Sequence, residues 1–295
     1  MKKVFIRLTS LLLILFLSIP FIYGCKKDDT ESDNGEKKLT VAVTILPQRA
    51  FVKAVCGELV NIITIVPPGG SPETYEPTAK QLEEFTDADI YFAIGVPLEQ
   101  AKMIPRAGDT VVVKLDEKVA SVYKDREFEE DERDPHNWLS PKRAVVMVKV
   151  IAEELGKLDP DNAETYNANA ASYIEQLQQA DTYIKGLFDA IDEEKRIFLV
   201  FHPAYGYLAD DYGLTMYSLE EEGKEATVQD LQNLIDYAKE HNIKVLFTQA
   251  ESGSSQPAAF VQEVGGKVVV LDPLSDDYIN NIKYMAEQIA ESMKA

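Results

Sequence analysis

One stretch, residues 159–194, limits what this chain can fold into more than any other. Between Asp161 and Lys185 it holds no glycine and no proline. Apolar residues recur at Tyr166, Ala170, Tyr173, Leu177, Ala180, Ile184, Leu187 and Ile191, in steps of three and four. That spacing lays one continuous apolar face along a helix. Asp159 followed by Pro160 reads as an N-cap with proline at the first helical position. Asp161 and Glu164 suit the positive end of the helix dipole. About 30 residues at roughly 1.5 Å each make a rod of about 45 Å. Such a rod serves either as a long surface helix on one domain or as a connector between two lobes.

The flanking pattern favours the connector. Before it, apolar β-branched runs at 39–45, 61–66, 90–94 and 110–115 read as strands, with helices at 48–56, 78–87 and 140–158. After it, strands are expected at 197–201, 214–217, 244–248 and 267–271, with helices at 203–211, 227–241, 257–264 and 277–293. Residues 117–133 are dense in charge and read as a loop. Alternating strands and helices imply βαβ units and parallel sheets. Two βα-alternating halves, 39–158 and 195–295, therefore flank the 159–194 helix.

Residues 1–24 combine a basic start with an apolar run from Leu11, the pattern of a secretory signal peptide. The Gly24-Cys25 junction resembles a bacterial lipobox, which implies that Cys25 is lipidated and becomes the mature N-terminus. Residues 25–38 are charged and read as a flexible tether. Cys56 then has no disulfide partner and reads as a small core residue. The formal charge is −20, and removal of Lys2, Lys3 and Arg7 with the signal takes it to −23. That balance argues against nucleic acid and suits a cation as ligand.

The chain has three histidines. His136 stands in a loop ahead of a proline-capped helix, beside the only tryptophan, Trp138. His202 directly follows the expected strand 197–201. Ligands of open α/β sheets bind at such carboxyl ends. His241 sits at a helix C-terminus, where it caps the dipole. Two imidazoles alone make a poor metal site, since tetrahedral zinc takes four ligands. Carboxylates occupy comparable positions: Asp272 follows the strand 267–271, and Glu73 lies in a Gly/Pro-rich loop after the strand 61–66.

Four ordered motifs carry a specific resemblance. They are Pro67-Pro68-Gly69-Gly70-Ser71-Pro72-Glu73-Thr74-Tyr75-Glu76-Pro77, Asp134-Pro135-His136-Asn137-Trp138, Phe201-His202-Pro203-Ala204-Tyr205-Gly206 and Leu271-Asp272-Pro273-Leu274. From residue 38 onward the chain resembles the metal-binding lipoproteins of zinc and manganese ABC transporters. The resemblance implies an α/β fold of two lobes, each a parallel β-sheet wrapped by helices, joined by one long connector helix. It implies one divalent transition metal in the cleft, held by Glu73, His136, His202 and Asp272. It also implies a monomer, anchored outside the cytoplasm through Cys25, that delivers its ion to an ABC permease and ATPase. A zinc hydrolase using Glu73 as base, or an adhesin, is the remote alternative.

One position departs from the family pattern. Histidine is usual where Glu73 stands. Glutamate still ligates zinc at about 2.0–2.2 Å, but a harder oxygen donor favours manganese or iron. His202 matches the zinc-type members, so Zn2+ leads and Mn2+ is the alternative. Residues 124–134 carry carboxylates where zinc-type relatives often have a histidine-rich loop.

Overall fold

Eight short apolar runs become the strands of two parallel sheets. The computed structural model describes residues 38–129, 132–220, 226–250 and 254–294. The signal segment, Cys25 and the tether up to residue 37 lie outside the described residues.

In the first half come β1 (Thr40–Val43), α1 (Leu46–Cys56), β2 (Asn61–Thr64), α2 (Ala79–Thr86), β3 (Ile90–Ala93) and β4 (Val111–Lys114). Their sheet has the order β2-β1-β3-β4, all parallel. Then follow α3 (Leu115–Ala120), the hairpin strands β5 (Glu127–Glu129) and β6 (Glu132–Arg133), α4 (Pro141–Leu158) and the long α5 (Ala163–Asp189). In the second half come β7 (Ile197–Val200), α6 (Gly206–Tyr212), β8 (Thr215–Ser218), α7 (Val228–Glu240), β9 (Val245–Gln249), α8 (Gln256–Val264), β10 (Lys267–Leu271) and α9 (Tyr278–Ser292). The second sheet runs β10-β9-β7-β8, again all parallel. In both sheets the strand order reverses beside the first strand, and such switch points open a crevice at the carboxyl ends.

The long helix is shorter than the sequence suggests. It has 27 residues, about 40 Å at 1.5 Å each. Asp159 ends α4, its N–H bonding to Leu155 O at 2.8 Å. Its carboxylate accepts from Asn162 Nδ2 at 2.7 Å and Tyr166 Oη at 2.6 Å, so it braces a corner rather than capping a straight rod. Residues 160–162 form a 3-10 turn between the two helices.

Of the expected face Tyr166, Ala170, Leu177, Ala180 and Ile184 are buried, Tyr173 and Leu187 are half-buried, and Phe188 is buried beside Leu187. Each fully buried large apolar side chain contributes roughly 1.5–3 kcal/mol. Early in α5, Asn169 donates to Val55 O of α1 at 3.0 Å. Late in it, Tyr183 donates to Glu287 of α9 at 2.7 Å, and Asp181 accepts from Tyr212 at 2.8 Å. The helix thus contacts both halves. One apolar core runs unbroken from Val41 in β1 to Met293 behind α9. Among the described residues no helix is long and apolar enough to cross a membrane.

The charged segment 117–133 is not the plain loop that its composition suggests. It contributes the end of α3 and the hairpin β5–β6. Ion pairs supply the order: Arg133 holds Asp116 and, at 2.7 Å, Asp125, while Arg126 holds Asp210 at 2.9 Å. Residues 130–131 lie outside the described part.

Candidate metal centre

Three chain segments bring three donor atoms together. The loop after β2 carries Glu73 and is stiffened by Pro67, Pro68, Pro72 and Pro77. Tyr75 N bonds back to Ser71 O at 2.9 Å, and Tyr75 Oη donates to Gln81 at 3.0 Å, which fixes the loop on the start of α2. His136 opens a short 3-10 turn ahead of α4. His202 follows β7.

His202 Nε2 lies 2.9 Å from Glu73 Oε1, His136 Nε2 lies 3.6 Å from the same oxygen, and the two Nε2 atoms are 3.2 Å apart. A tetrahedral metal at 2.0–2.2 Å from its ligands sets donor-to-donor edges of about 3.3–3.6 Å. The triangle already has nearly that size. It forms one wall of a cavity of about 460 Å3 that Gly95, Phe128 and Glu220 also line.

Each imidazole is held from behind. Asp134 Oδ1 accepts from His136 Nδ1 at 2.8 Å and from His136 N at 2.9 Å. Asp134 is fully buried, with the Arg126 guanidinium 3.4 Å from its other oxygen. A Cβ on Gly206 would fall on that guanidinium, so any larger residue there has to displace Arg126 from Asp134. His202 Nδ1 lies 3.3 Å from Glu220 Oε2. The Trp138 ring lies against His136 with centroids 5.2 Å apart, and its indole donates to Pro273 O at 2.9 Å.

The electrostatics follow from this arrangement. Burial alone would raise the Glu73 carboxyl; hydrogen bonds from His136 and His202 outweigh it and hold the group well below the usual carboxylate range. Burial alone would lower His202; Glu220 and Glu73 outweigh it and push it up to about 9. His136 is likewise raised by Asp134 and Glu73 against the effect of burial.

The structure places Glu73, His136 and His202 in one group and leaves the Asp272 carboxylate outside it. Asp272 is exposed; its Oδ1 accepts from Leu274 N at 2.9 Å in a turn. Its segment nevertheless docks on the His136 segment, through the Trp138–Pro273 bond and through Tyr278 Oη, which donates to Trp138 O at 2.6 Å. His241 bonds Tyr237 O at 2.9 Å and stacks on that ring, away from the cavity, as a helix-end cap would. Cys56 is buried, and burial pushes its thiol up to about 12, which suits an inert core residue.

Sequence reasoning missed Glu220. It stands two residues past β8, at a carboxyl end, where the same rule that flagged His202 applies. It stands in the run Glu220-Glu221-Glu222, where nothing in the sequence alone separates it from solvated charge. Asp134 was visible only as the first residue of a motif.

The family described as "Zinc-uptake complex component A periplasmic" matches residues 41–292. The zinc-binding lipoprotein AdcA of Streptococcus pneumoniae is 30% identical over 291 residues, covering 93% of this chain but 56% of its own length. The chain thus spans little more than half of that relative. The manganese-binding lipoprotein MntA of Halalkalibacterium halodurans is 29% identical, covering 86% of this chain and 84% of its own. A crystal structure of ZnuA superposes with a TM-score of 0.80 at 34% identity, covering 86% of this chain and 98% of that one.

Proposed function

The chain belongs to the zinc-uptake complex component A family, and on that premise we propose that it captures one divalent transition-metal ion outside the cytoplasm and delivers it to an ABC permease. It is a binding protein, not an enzyme. The observation that carries this reading is the Glu73–His136–His202 triangle, whose edges of 2.9, 3.2 and 3.6 Å suit one small cation.

Asp272 is the fourth ligand in this reading. Its side chain leaves Leu274 N and turns toward the His136 segment, on which its loop is already seated. Glu73 and Asp272 then supply two negative charges and the imidazoles none, which neutralises a divalent ion. Zinc is the cargo that two imidazoles favour. The Glu73 oxygen supports manganese as the second reading, because a carboxylate is a harder donor than the imidazole usual at that position. The protein acts as a monomer tethered by lipid at Cys25, with residues 39–158 and 195–295 as its lobes and 159–194 between them.

Metal analysis of protein purified without chelator, followed by competition between zinc and manganese, tests this. One equivalent of zinc retained against excess manganese is expected. Retention of neither ion refutes the reading. Loss of membrane retention in Cys25→Ser tests the anchor separately.

A further inference from the structure

Glu220 faces the cavity and reaches a proposed ligand. Its backbone is fixed. Leu219 N bonds to Val200 O at 2.9 Å and Glu220 N to Phe201 O at 2.8 Å, continuing the β7–β8 pairing two residues past the strands. On the other side Phe201 N bonds to Phe247 O at 2.7 Å. The ladder therefore sets Glu220 beside the residue that precedes His202. From there its carboxylate meets Nδ1, on the edge of the ring opposite the donor triangle. The side chain of Glu220 is only 13% exposed.

We propose that Glu220 is a positioning residue for metal capture: its carboxylate accepts a hydrogen bond from His202 Nδ1–H and so fixes the tautomer whose Nε2 lone pair is bare and aimed at the ion. The proposal rests on the reading of His202 as a ligand. A neutral imidazole has one proton and two nitrogens. Without an acceptor behind the ring, the proton also populates Nε2, and that tautomer cannot ligate. A carboxylate behind the ring also raises the basicity of the ligating nitrogen. Asp134 does the same for His136, so the two imidazoles reach the cavity in matching states from opposite halves. The two supports differ in one respect. Asp134 is fully buried and bonded to backbone, whereas Glu220 lines the cavity and acts through a longer contact.

Glu220→Gln keeps an oxygen that accepts from Nδ1–H, and Glu220→Ala removes it. In metal-free protein Glu73 Oε1, 2.9 Å from Nε2, competes for the same proton. The tautomer of His202 is therefore read from 15N shifts of its ring in metal-free Glu73→Ala protein at pH 10, with and without the Glu220 substitutions, and zinc affinity is measured on the Glu220 variants with Glu73 in place. The proposal expects the Nδ1–H form where Glu220 is intact and in Glu220→Gln, a mixture in Glu220→Ala, and a roughly 10–100-fold loss of zinc affinity in Glu220→Ala. Recovery of most of that loss in Glu220→Gln separates positioning from a purely structural defect. Glu220→Ala that keeps either the parent tautomer or the parent affinity overturns the proposal. If the tautomer shifts as expected but the parent protein binds no metal, the transport reading falls and the role of Glu220 toward His202 stands.

Discussion

His136 Nε2 and His202 Nε2 stand 3.2 Å apart although 66 residues separate them in the chain. Two bare imidazole nitrogens repel at that distance, so something positive belongs between them. In metal-free protein a proton serves, shared out with Glu73; in loaded protein the cation replaces it. On the proposed reading of the site, capture is an exchange of proton for metal.

The exchange fixes a pH dependence. His202 is raised to about 9, so its contribution to stability is complete below 6.5 and is lost as pH rises through about 9. Glu73 is depressed, so its contribution is complete above its usual 4.5 and is lost in acid. These are two ends of one interaction and are counted once. Melting of metal-free protein should be highest near pH 5–6 and fall toward pH 9, while zinc affinity rises over that range. Zinc affinity that stays flat between pH 6 and 9 contradicts the exchange.

Glu73 is the only donor of the three whose side chain is substantially exposed, at 32%. Glu73→Ala should weaken zinc and manganese together by at least tenfold. Glu73→His should keep zinc and lose manganese selectively, because nitrogen replaces a hard oxygen. Calorimetry with both ions on both variants checks this. Unchanged affinities in Glu73→Ala would remove it from the site.

The two halves are joined by more than α5. Asp211 of α6 accepts from Ser140, the N-cap of α4, and pairs with Arg143 at 2.7 Å and Lys142 at 3.1 Å. Trp138 bonds Pro273, and Arg49 reaches Asp276 at 3.1 Å. With an unbroken core behind these contacts, metal uptake should move the lobes by small tilts rather than a wide hinge. X-ray scattering of metal-free and zinc-loaded protein should give radii of gyration equal within about 1 Å. A change of several ångströms would show that the contacts open.

Most of the fold was legible because it repeats a simple signal. Runs such as Lys267-Val268-Val269-Val270-Leu271 have one reading, and β10 occupies those five residues. The buried face of α5 follows its spacing from Tyr166 to Ile184, with Tyr173 half-buried, and shifts from Leu187 to Phe188 at its end. The hairpin β5–β6 was not legible, since its order comes from Arg126 and Arg133 reaching carboxylates distant in sequence or hidden among like charges. In the site, His136 and His202 stood out because histidine is scarce here and both sit at loop–helix junctions. Glu220 did not, because one acidic residue among 50 carries no mark until the β7–β8 register puts it behind an imidazole.

Glu99 gives a last prediction, away from the metal. It is fully buried behind the end of β3, where Ile94 N and Gly95 N donate to its carboxylate at 2.7–3.0 Å. Thr44 Oγ1 donates to it as well, and bonds Tyr91 Oη at 2.7 Å. Burial, with Asp116 adding to it, pushes the carboxyl up to about 7 against these donors. A raised acid stabilises the fold below its unfolded value of 4.5, and that contribution is lost as pH rises through about 7. The interval corresponds to roughly 3 kcal/mol at most. Glu99→Gln cannot ionise, and its amide N–H2 meets a site built from donors, so it should cost stability at pH 5. Its penalty should shrink steadily toward pH 8, where the parent has lost its advantage. Urea denaturation of both proteins from pH 5 to pH 8 measures this. Parallel pH profiles would mean that Glu99 stays ionised throughout, its three donors outweighing burial.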